Sequence, residues 1–275
     1  VADYYKAPLP LVLKLAIPKN YRQGKPIKFP MKDYFSLNPD FLETYHDLLK
    51  RAPKQLEIVN YLAEQGKAIA DDILKINGFD NAKLKQLLAK NILQKKSKLD
   101  VPQNITTNLS KPLKLNDEQQ YAVDTICKHL HSYNCFLLKG VTGSGKTEVY
   151  LQVIAKVLQA QQQVLVIVPE IGLTPQLVRR FSQRFATEIQ VIHSALNDNE
   201  RQYAWQFAKN RQVKLIIGTR SAIFTPMPDL GLIVIDEEHD LSLKQLEGVR
   251  YFARDTALVR AVNANIPVIL GSATP

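Results

Sequence analysis

The 275-residue chain is 45% hydrophobic and 23% charged, and its formal net charge at neutral pH is +10. The hydrophobic fraction is sufficient for packed cores, the length suggests about two domains, and no apolar run is long enough to span a membrane. The two cysteines, Cys127 and Cys135, lack metal-ligand spacing, which favours reduced thiols in a cytoplasmic protein.

The positive charge is concentrated in the first part of the chain. Residues 1–112 contain 19 Lys and Arg against 11 Asp and Glu, a net +8, whereas residues 113–275 contain 17 against 15, a net +2. Such asymmetry is typical of proteins that contact a polyanion, although excess lysine also serves solubility alone. The first part is therefore the candidate for nucleic-acid contact.

Residues 1–36 contain five prolines, which predicts an extended or linker segment instead of long helices. Residues 37–99 show helical spacing in short stretches, the last of which starts at Asn81 as its predicted N-cap. A basic run from Lys95 to Lys98 follows, and this order predicts a small helical, winged-helix-like domain. Residues 100–112 are polar and bounded by prolines, which is typical of a linker.

The predicted third helix of that small domain carries three lysines with two possible roles. They would contact DNA phosphates or a groove if the domain reads DNA. They would form a solvated face if the domain only separates its neighbours. The sequence leaves both interpretations open for Lys83, Lys85 and Lys90.

From residue 113 to residue 275 the pattern is α/β. Short apolar runs alternate with helical stretches, as expected of parallel strands buried between helices. The carboxyl ends of such strands meet at one edge, where ligands bind. The predicted strands are Phe136–Leu138, Val164–Val168, Ile189–Ile192, Lys214–Ile217, Leu232–Ile235 and Val268–Leu270.

A glycine-rich loop follows the first of these strands and leads into a helical stretch. Its pattern, G-x-x-x-x-G-K-T, is that of a phosphate-binding loop, in which backbone N–H groups and a helix N-terminus surround phosphate oxygens. The lysine would reach the β- and γ-phosphates, and the threonine hydroxyl would bind Mg²⁺. The loop consists of Gly140, Val141, Thr142, Gly143, Ser144, Gly145, Lys146 and Thr147.

An acidic pair follows the predicted strand Leu232–Ile235. Asp236 is placed to hold the Mg²⁺ of a bound nucleotide, and Glu237 to orient or deprotonate the attacking water. Lys146, Asp236 and Glu237 are therefore the candidate catalytic residues of an ATP-hydrolysing enzyme.

The order of these motifs resembles the first, RecA-like motor lobe of superfamily 2 helicases. Over nearly the whole chain it is similar to the primosomal replication-restart helicases, the PriA family of bacterial 3′→5′ DNA helicases. The resemblance is strong from residue 113 onward and weaker before it. The motifs that carry it are GVTGSGKTEVYL, PEIGLTPQL, GTRSAIF, LGLIVIDEEHD and LGSATP. We call residues 236–239, the sequence DEEH, the acidic motif, and residues 271–275, the sequence GSATP, motif III.

The resemblance implies roles for further residues. Gln119, helped by Asn116, would read adenine, and Ser272 and Thr274 would link the nucleotide state to lobe movement. Other residues would contact the DNA backbone or single-stranded DNA; these are Thr174, Thr219, Arg220, Lys244, Arg250, Tyr251 and Arg254.

Residues 243–254 match the aromatic-rich loop of the family, which contacts single-stranded DNA there, but they depart from its pattern. We expect an aromatic residue at Leu243 and a tryptophan near Val249. Because base stacking contributes about 1–3 kcal/mol per base, this loop is expected to bind single strands less tightly or to depend on its basic residues.

The resemblance also implies that the chain is a fragment of a longer cytoplasmic, nucleoid-associated protein. ATP and Mg²⁺ are the expected ligands here, and zinc is expected only elsewhere in the parent protein. Branched and single-stranded DNA, primosome proteins and single-strand-binding protein are the expected partners. Without a second lobe to supply arginine fingers, the isolated chain should bind nucleotide with Mg²⁺ yet hydrolyse it poorly.

Two other classes of function stay open at this point. A P-loop ATPase or kinase for a small molecule would share the phosphate-binding loop but leaves the motifs PEIGLTPQ, GTRSA and GSATP without a role. A non-motor DNA or protein scaffold would use the nucleotide site only as a regulatory switch.

Overall fold

The computed structural model describes residues 1–26, 31–41, 44–99 and 109–273, without the side chains of residues 98 and 99. These residues divide into two compact units. The motor unit combines residues 1–26 with 109–273, and the small unit comprises residues 31–99. Thr274 and most of the predicted linker, residues 100–108, lie outside the described residues.

The helices of the described chain are α1 (Ala2–Tyr5), α2 (Leu9–Ala16), α3 (Lys19–Arg22), α4 (Tyr45–Leu48), α5 (Pro53–Gln65), α6 (Asp71–Ile76), α7 (Asn81–Ala89), α8 (Asp117–Cys127), α9 (Lys146–Gln159), α10 (Pro175–Arg184), α11 (Asp198–Lys209) and α12 (Ala253–Ala264). Short 3-10 helices lie at Pro39–Phe41, Glu170–Gly172, Arg220–Phe224 and Leu241–Leu243.

The strands are β1 (Met31–Leu37), β2 (Ile69–Ala70), β3 (Leu93–Leu99), β4 (Cys135–Lys139), β5 (Gln163–Ile167), β6 (Ile189–Ile192), β7 (Leu215–Gly218), β8 (Leu230–Ile235), β9 (Lys244–Gln245), β10 (Tyr251–Phe252) and β11 (Val268–Ser272).

The motor unit is built on a six-stranded sheet in the order β4-β11-β8-β5-β7-β6. Every pairing in it is parallel, and each of its strands overlaps one of the six predicted apolar runs. All residues of β5, β7 and β8 are buried, as expected of strands covered by helices on both faces. The predicted α/β fold with a mostly parallel sheet is confirmed.

The first 26 residues differ from the predicted extended segment. They form the short helices α1, α2 and α3 within the motor unit. Pro8 and Pro18 are N-cap residues of α2 and α3, where a missing N–H and a fixed φ fit the helix start. The prolines therefore begin helices here instead of preventing them.

Side-chain hydrogen bonds attach this N-terminal segment to the rest of the motor unit. The Tyr5 hydroxyl accepts from the backbone N–H of Phe252 at 2.9 Å. The amide of Asn20, which is buried, donates to Asn199 at 2.8 Å and to Gln202 at 3.2 Å.

The small unit contains a three-stranded antiparallel sheet in the order β2-β1-β3 with helices packed on it. Its core includes Ile58, Leu74 and Leu87. Asp80, and not the predicted Asn81, is the N-cap of α7, since its carboxylate accepts from the N–H of Ala82 at 3.0 Å. Short helices and a basic β3 agree with the predicted composition of this region, and the winged-helix assignment stays a prediction.

No helix in the described part of the chain combines the length and the apolar character needed to cross a membrane.

Candidate nucleotide-binding site

The glycine-rich loop joins β4 to α9 at the carboxyl edge of the motor sheet. Gly143 and Gly145 have φ angles of 82° and 88°, a left-handed conformation that side chains other than glycine adopt at a cost. The N–H of Gly140 donates to the carbonyl of Ser272 at 3.0 Å, which holds the loop against the end of β11. The loop is thus fixed by its backbone before any ligand is considered.

Lys146 begins α9 and points back into this loop. Its Nζ donates to the carbonyl oxygen of Gly140 at 2.5 Å and lies 3.6 Å from Oε1 of Glu237. The Lys146 side chain is only 9% exposed, so its charge is held within the loop rather than in bulk solvent. This is the placement that the sequence predicts for the lysine of a phosphate-binding loop.

A pocket of about 310 Å³ collects the predicted nucleotide-binding and catalytic residues. Because the strands are parallel, the loops after β4 and β8 meet at the same edge of the sheet. The pocket is lined by Val141, Thr142, Gly143, Ser144, Gly145, Lys146, Thr147, Arg180, Asp236 and Glu237. Asp236 and Lys146 therefore share one cavity, as the proposed chemistry requires.

Glu237 has an unusual backbone. Its φ of 47° is left-handed, a conformation in which non-glycine residues are uncommon and which costs on the order of 1–3 kcal/mol. Oε2 of Glu237 accepts from the N–H of Ala273 at 3.3 Å, so motif III touches the candidate catalytic carboxylate. In this conformation Glu237, the second residue after β8, lines the pocket.

Asp236 is held by a residue that the sequence analysis missed. The Tyr150 hydroxyl, on α9, donates to Oδ1 of Asp236 at 3.1 Å. Burial raises the pKa of Tyr150 far above its ordinary value, so the phenol is protonated and donates. Burial also raises the pKa of Asp236, while the Tyr150 hydrogen bond and the charge of Lys146 oppose that rise.

Gln119 and Asn116 form a capping box at the start of α8. The Asn116 side chain accepts from the N–H of Gln119 at 2.8 Å, and Oε1 of Gln119 accepts from the N–H of Asn116 at 3.0 Å. Nε2 of Gln119 also donates to the carbonyl of Ser144 in the glycine-rich loop at 2.9 Å. The pair therefore contacts the loop, and its reading of adenine stays a prediction.

Motif III is connected to the acidic motif through two further contacts. Nδ1 of His239 lies 3.2 Å from Oγ of Ser272, and the N–H of Glu238 donates to the carbonyl of Gly271 at 2.8 Å. Ser272 thus touches the motif that carries the carboxylates, and its role in linking the nucleotide state to lobe movement stays a prediction. Thr274, its predicted partner, lies outside the described residues.

The residues predicted to contact the DNA backbone differ in exposure. Thr174 is exposed and is the N-cap of α10, where its hydroxyl accepts from the N–H of Leu177. Thr219 is buried, so its side chain is not presented for a DNA contact. Arg220 is half-buried, and its guanidinium donates to the carbonyls of Ser242 and Lys244 at 3.1 and 3.0 Å. Arg220 therefore anchors the aromatic-rich loop in this structure.

The aromatic-rich loop is packed inward. Leu243, where an aromatic residue is expected, is fully buried, and Tyr251 is buried against Phe224 with ring centroids 5.1 Å apart. A stacking role for Tyr251 on DNA bases therefore requires the loop to move. Lys244 and Arg250 are exposed at the surface.

Arg254 is used within the motor unit. Its NH1 donates to Oε2 of Glu238 at 2.8 Å, and its guanidinium carbon lies 4.4 Å from the centroid of the Phe252 ring. Arg254 therefore joins the acidic motif to the aromatic-rich loop.

The donor set fits magnesium bound together with a nucleotide. Mg²⁺ prefers hard oxygen ligands and usually binds through one or two carboxylates, waters and substrate phosphates. The pocket offers the Thr147 hydroxyl and the Asp236 carboxylate. Among the described residues no group of three or more His, Cys, Asp or Glu could hold a metal ion by itself, so phosphate oxygens would complete the coordination.

Two further residues escaped the sequence analysis. Arg180, on α10, lines the pocket, but its sequence context shows only a basic helix. Glu148 is buried in an ion pair with Arg184 at 2.8 Å and also accepts from the N–H of Leu113 at 3.1 Å. Of the missed residues, only Tyr150 could have been found from the sequence. It lies four residues after Lys146, and that spacing puts both side chains on one face of α9.

The phosphate-binding loop, set beside two carboxylates at the carboxyl edge of a parallel sheet, defines a RecA-like nucleotide-binding lobe of the P-loop class. Residues 116–275 match the DEAD/DEAH box helicase family. The chain belongs to that family, which implies ATP and Mg²⁺ as its ligands.

Individual relatives agree with this assignment. The replication restart protein PriA of Haemophilus influenzae is 42% identical over an alignment that covers 100% of this chain and 38% of that protein. PriA of Bacillus subtilis is 42% identical over 83% of this chain and 29% of that protein. The predicted resemblance to the PriA family is confirmed, and the chain spans between 29% and 38% of the length of these two relatives.

Among solved structures, RecG bound to a three-way DNA junction is similar with a TM-score of 0.46 and 27% identity. That similarity covers 60% of this chain and 22% of the RecG chain.

Proposed function

We propose that this chain provides the ATP-binding lobe of a 3′→5′ DNA helicase that acts in replication restart at stalled or branched forks. The observation that carries the proposal is the single pocket in which Lys146, Asp236 and Glu237 meet the glycine-rich loop. The similarity to PriA proteins supports the replication-restart role.

Four side chains of the pocket and the backbone of the glycine-rich loop have chemical tasks in this proposal. Lys146 binds the β- and γ-phosphates, and the backbone N–H groups of the loop surround the remaining phosphate oxygens. Thr147 and Asp236 would hold Mg²⁺, which neutralises charge on the phosphates when it is bound. Glu237, 3.6 Å from Lys146, orients the attacking water and accepts its proton.

We assign the proposed DNA contacts to the predicted residues whose side chains are exposed. Thr174, Lys244 and Arg250 are exposed, and contacts of such residues to phosphates provide affinity without sequence choice. Primosome proteins and single-strand-binding protein are proposed partners on the basis of the family resemblance, and a cytoplasmic, nucleoid-associated location follows from the same reasoning. Gln119 as adenine reader and the small unit as a winged helix belong to this proposal too.

The rival functions are not favoured. A small-molecule kinase would use the phosphate-binding loop but gives no reason for the contacts between motif III and the acidic motif. A non-motor scaffold gives no reason for the strained Glu237 in the pocket.

The proposal is tested by Glu237→Gln in the full-length protein. Loss of a general base typically costs a factor of 10²–10⁴, so DNA-stimulated ATP hydrolysis should fall by about a thousandfold. ATP binding should stay within a few-fold of wild type, measured by fluorescence titration. Glu64→Gln, an exposed glutamate of the small unit, is the matched control and should hydrolyse ATP normally.

Unwinding of a forked DNA separates the motor from its rivals. The wild-type protein should displace a strand from the fork in the presence of ATP, and Glu237→Gln should not. Displacement by the variant at the wild-type rate would remove the motor interpretation, and lack of fork binding by either protein would favour the kinase class.

A further inference from the structure

A buried tyrosine hydroxyl touches the proposed magnesium ligand. Tyr150 lies on α9 and is 1% exposed, within the apolar core of the motor unit. Its hydroxyl donates to Oδ1 of Asp236 at 3.1 Å. A phenylalanine would fill the same volume without a polar group to satisfy, so the hydroxyl calls for a specific reason.

The Tyr150 hydroxyl has room because the neighbouring residue on β11 is a glycine, Gly271. A Cβ atom at Gly271, on β11, would lie 1.6 Å from the Tyr150 hydroxyl oxygen and 3.0 Å from Oδ1 of Asp236. No side chain fits there without displacing the hydrogen bond. Gly271 is not left-handed, so close approach is the constraint that favours glycine at this position.

Three elements therefore converge on one carboxylate oxygen. α9 carries both Lys146 and Tyr150, β8 leads into Asp236, and β11 pairs with β8 through Leu270 and Ile235. With Oδ1 held by Tyr150, rotation of the carboxylate is restricted, and the same helix sets the lysine and the orientation of the acid. Asp236 lines the pocket, so its fixed orientation acts on what binds there.

We propose that Tyr150 is a positioning residue for the magnesium of the bound nucleotide, acting through the hydrogen bond that orients Asp236. The inference rests on the proposed function, because it assumes that Asp236 holds Mg²⁺. Partners that orient a metal-binding side chain typically contribute 10–100-fold to metal affinity. The hydroxyl of Tyr150 thus sets how well the protein distinguishes magnesium-bound from free nucleotide.

The test measures magnesium dependence instead of turnover. A fluorescent ADP analogue is titrated into the full-length protein in EDTA and then at increasing Mg²⁺, which gives the Mg²⁺ concentration at half-maximal enhancement of binding. In Tyr150→Phe we expect this midpoint to rise by about tenfold, in line with the low end of such effects, and binding in EDTA to stay within twofold of wild type. An unchanged midpoint in the folded variant overturns the inference.

A control substitution separates this role from general packing. Tyr21→Phe removes another tyrosine hydroxyl that donates to a side chain, that of Gln206, and Tyr21 does not line the nucleotide pocket. It should leave the midpoint unchanged. A similar shift in Tyr21→Phe would mean that loss of stability alone changes the magnesium response, and the inference would then fail.

The steric part is tested with Gly271→Ala, read out by thermal melting. The added methyl group clashes with the Tyr150 hydroxyl, so the alanine should lower the melting temperature more in the wild type than in Tyr150→Phe. Neighbouring residues that share a contact commonly show coupling energies of 0.5–3 kcal/mol. Equal losses of melting temperature in the wild type and in Tyr150→Phe would show that the Tyr150 hydroxyl does not lie against Gly271, and the inference would lose its geometric basis.

A failure of the proposed function gives a different result. If wild type binds ADP without any magnesium dependence, or if Asp236→Asn keeps the wild-type midpoint, the assignment of Asp236 fails and the Tyr150 inference fails with it. If Asp236→Asn abolishes the magnesium effect while Tyr150→Phe matches wild type, only the inference is wrong.

Discussion

The motor unit and the small unit use their sheets in opposite ways. In the motor unit, strands that are buried on both faces end together at one edge, and the loops after them hold charged side chains at fixed distances. In the small unit, the antiparallel sheet carries Lys95 and Lys96 at exposed positions of β3. Because buried parallel strands end at one edge of the sheet, the motif residues that follow them are brought together into one site.

This difference explains why motifs after buried strands predict a site, whereas runs of charge on exposed elements do not. A motif at the end of a buried strand has few possible locations, because the parallel sheet determines where the chain emerges. A charge run on an exposed strand or helix is compatible with contact to a polyanion or with solvent alone. The substitutions below test this contrast, starting with the largest expected effect.

Removing the arginine of the buried ion pair should destabilise the motor unit most. Glu148 and Arg184 are each 6% exposed, and loss of one partner from a buried pair typically costs about 3–5 kcal/mol. Arg184→Met should therefore lower the free energy of unfolding by that amount in urea denaturation. Arg179→Met, an exposed arginine on the same helix, is the control, and similar losses in both variants would contradict the prediction.

Replacing the phosphate-binding lysine should abolish nucleotide binding without unfolding the unit. Truncation of one partner of a buried, hydrogen-bonded charge pair typically costs about 2–5 kcal/mol of binding free energy, which is on the order of a hundredfold in affinity. Lys146→Ala should show at least that loss in ATP affinity by fluorescence titration, with thermal melting of the nucleotide-free protein close to wild type. Lys139→Ala, an exposed lysine at the end of β4, should bind ATP normally; wild-type ATPase activity in Lys146→Ala would refute the site.

The lysines of α7 test the alternative that the sequence left open. The side chains of Lys83, which is half-buried, and Lys85, which is exposed, form no hydrogen bond or ion pair with the described residues, so their ammonium groups are available for phosphates. If they contact duplex DNA, the double alanine variant should flatten the slope of log affinity against log salt by about 1.8, which is 0.9 for each lost phosphate contact. We expect this change by fluorescence anisotropy.

Lys54→Ala, on the neighbouring helix α5, is the control for that measurement. An unchanged slope in the Lys83 and Lys85 double variant would make the small unit a spacer.

The smallest expected effect concerns the start of α7. Removal of an N-cap acceptor typically costs about 0.5–2 kcal/mol, so Asp80→Ala should lower stability by about 1 kcal/mol. Asn81→Ala should have little effect, because Asp80 is the residue that caps the helix. Thermal melting of the two variants tests this prediction. A larger loss of stability in Asn81→Ala than in Asp80→Ala would mean that Asn81 is the N-cap, as predicted from the sequence.

The sequence predicts the motor unit well because its signals are local and redundant. Six apolar runs, a glycine-rich loop and the Asp236–Glu237 pair each determine their own place, and the sheet brings them together. The helices at residues 2–22 were missed, because prolines were interpreted as breaks although Pro8 and Pro18 cap helix starts.

Other features depend on contacts between residues that are distant in the chain. The hydrogen bond of Tyr150 to Asp236 spans 86 residues, and the clash at Gly271 joins a third element. The burial of Tyr251 against Phe224 likewise cannot be found from spacing, since a tyrosine in a polar loop has the same pattern whether it is exposed or packed. Such features need the fold itself.

The buried carboxylate of Glu148 has a mechanical consequence. Glu148 lies two residues after Lys146 on α9, and its carboxylate accepts from the backbone N–H of Leu113. The carbonyl of Leu113 in turn accepts from the side chain of Gln152, also on α9, at 3.0 Å. Both backbone groups of Leu113 are therefore bound to side chains of α9, which fixes this point of the chain to the helix that begins with Lys146.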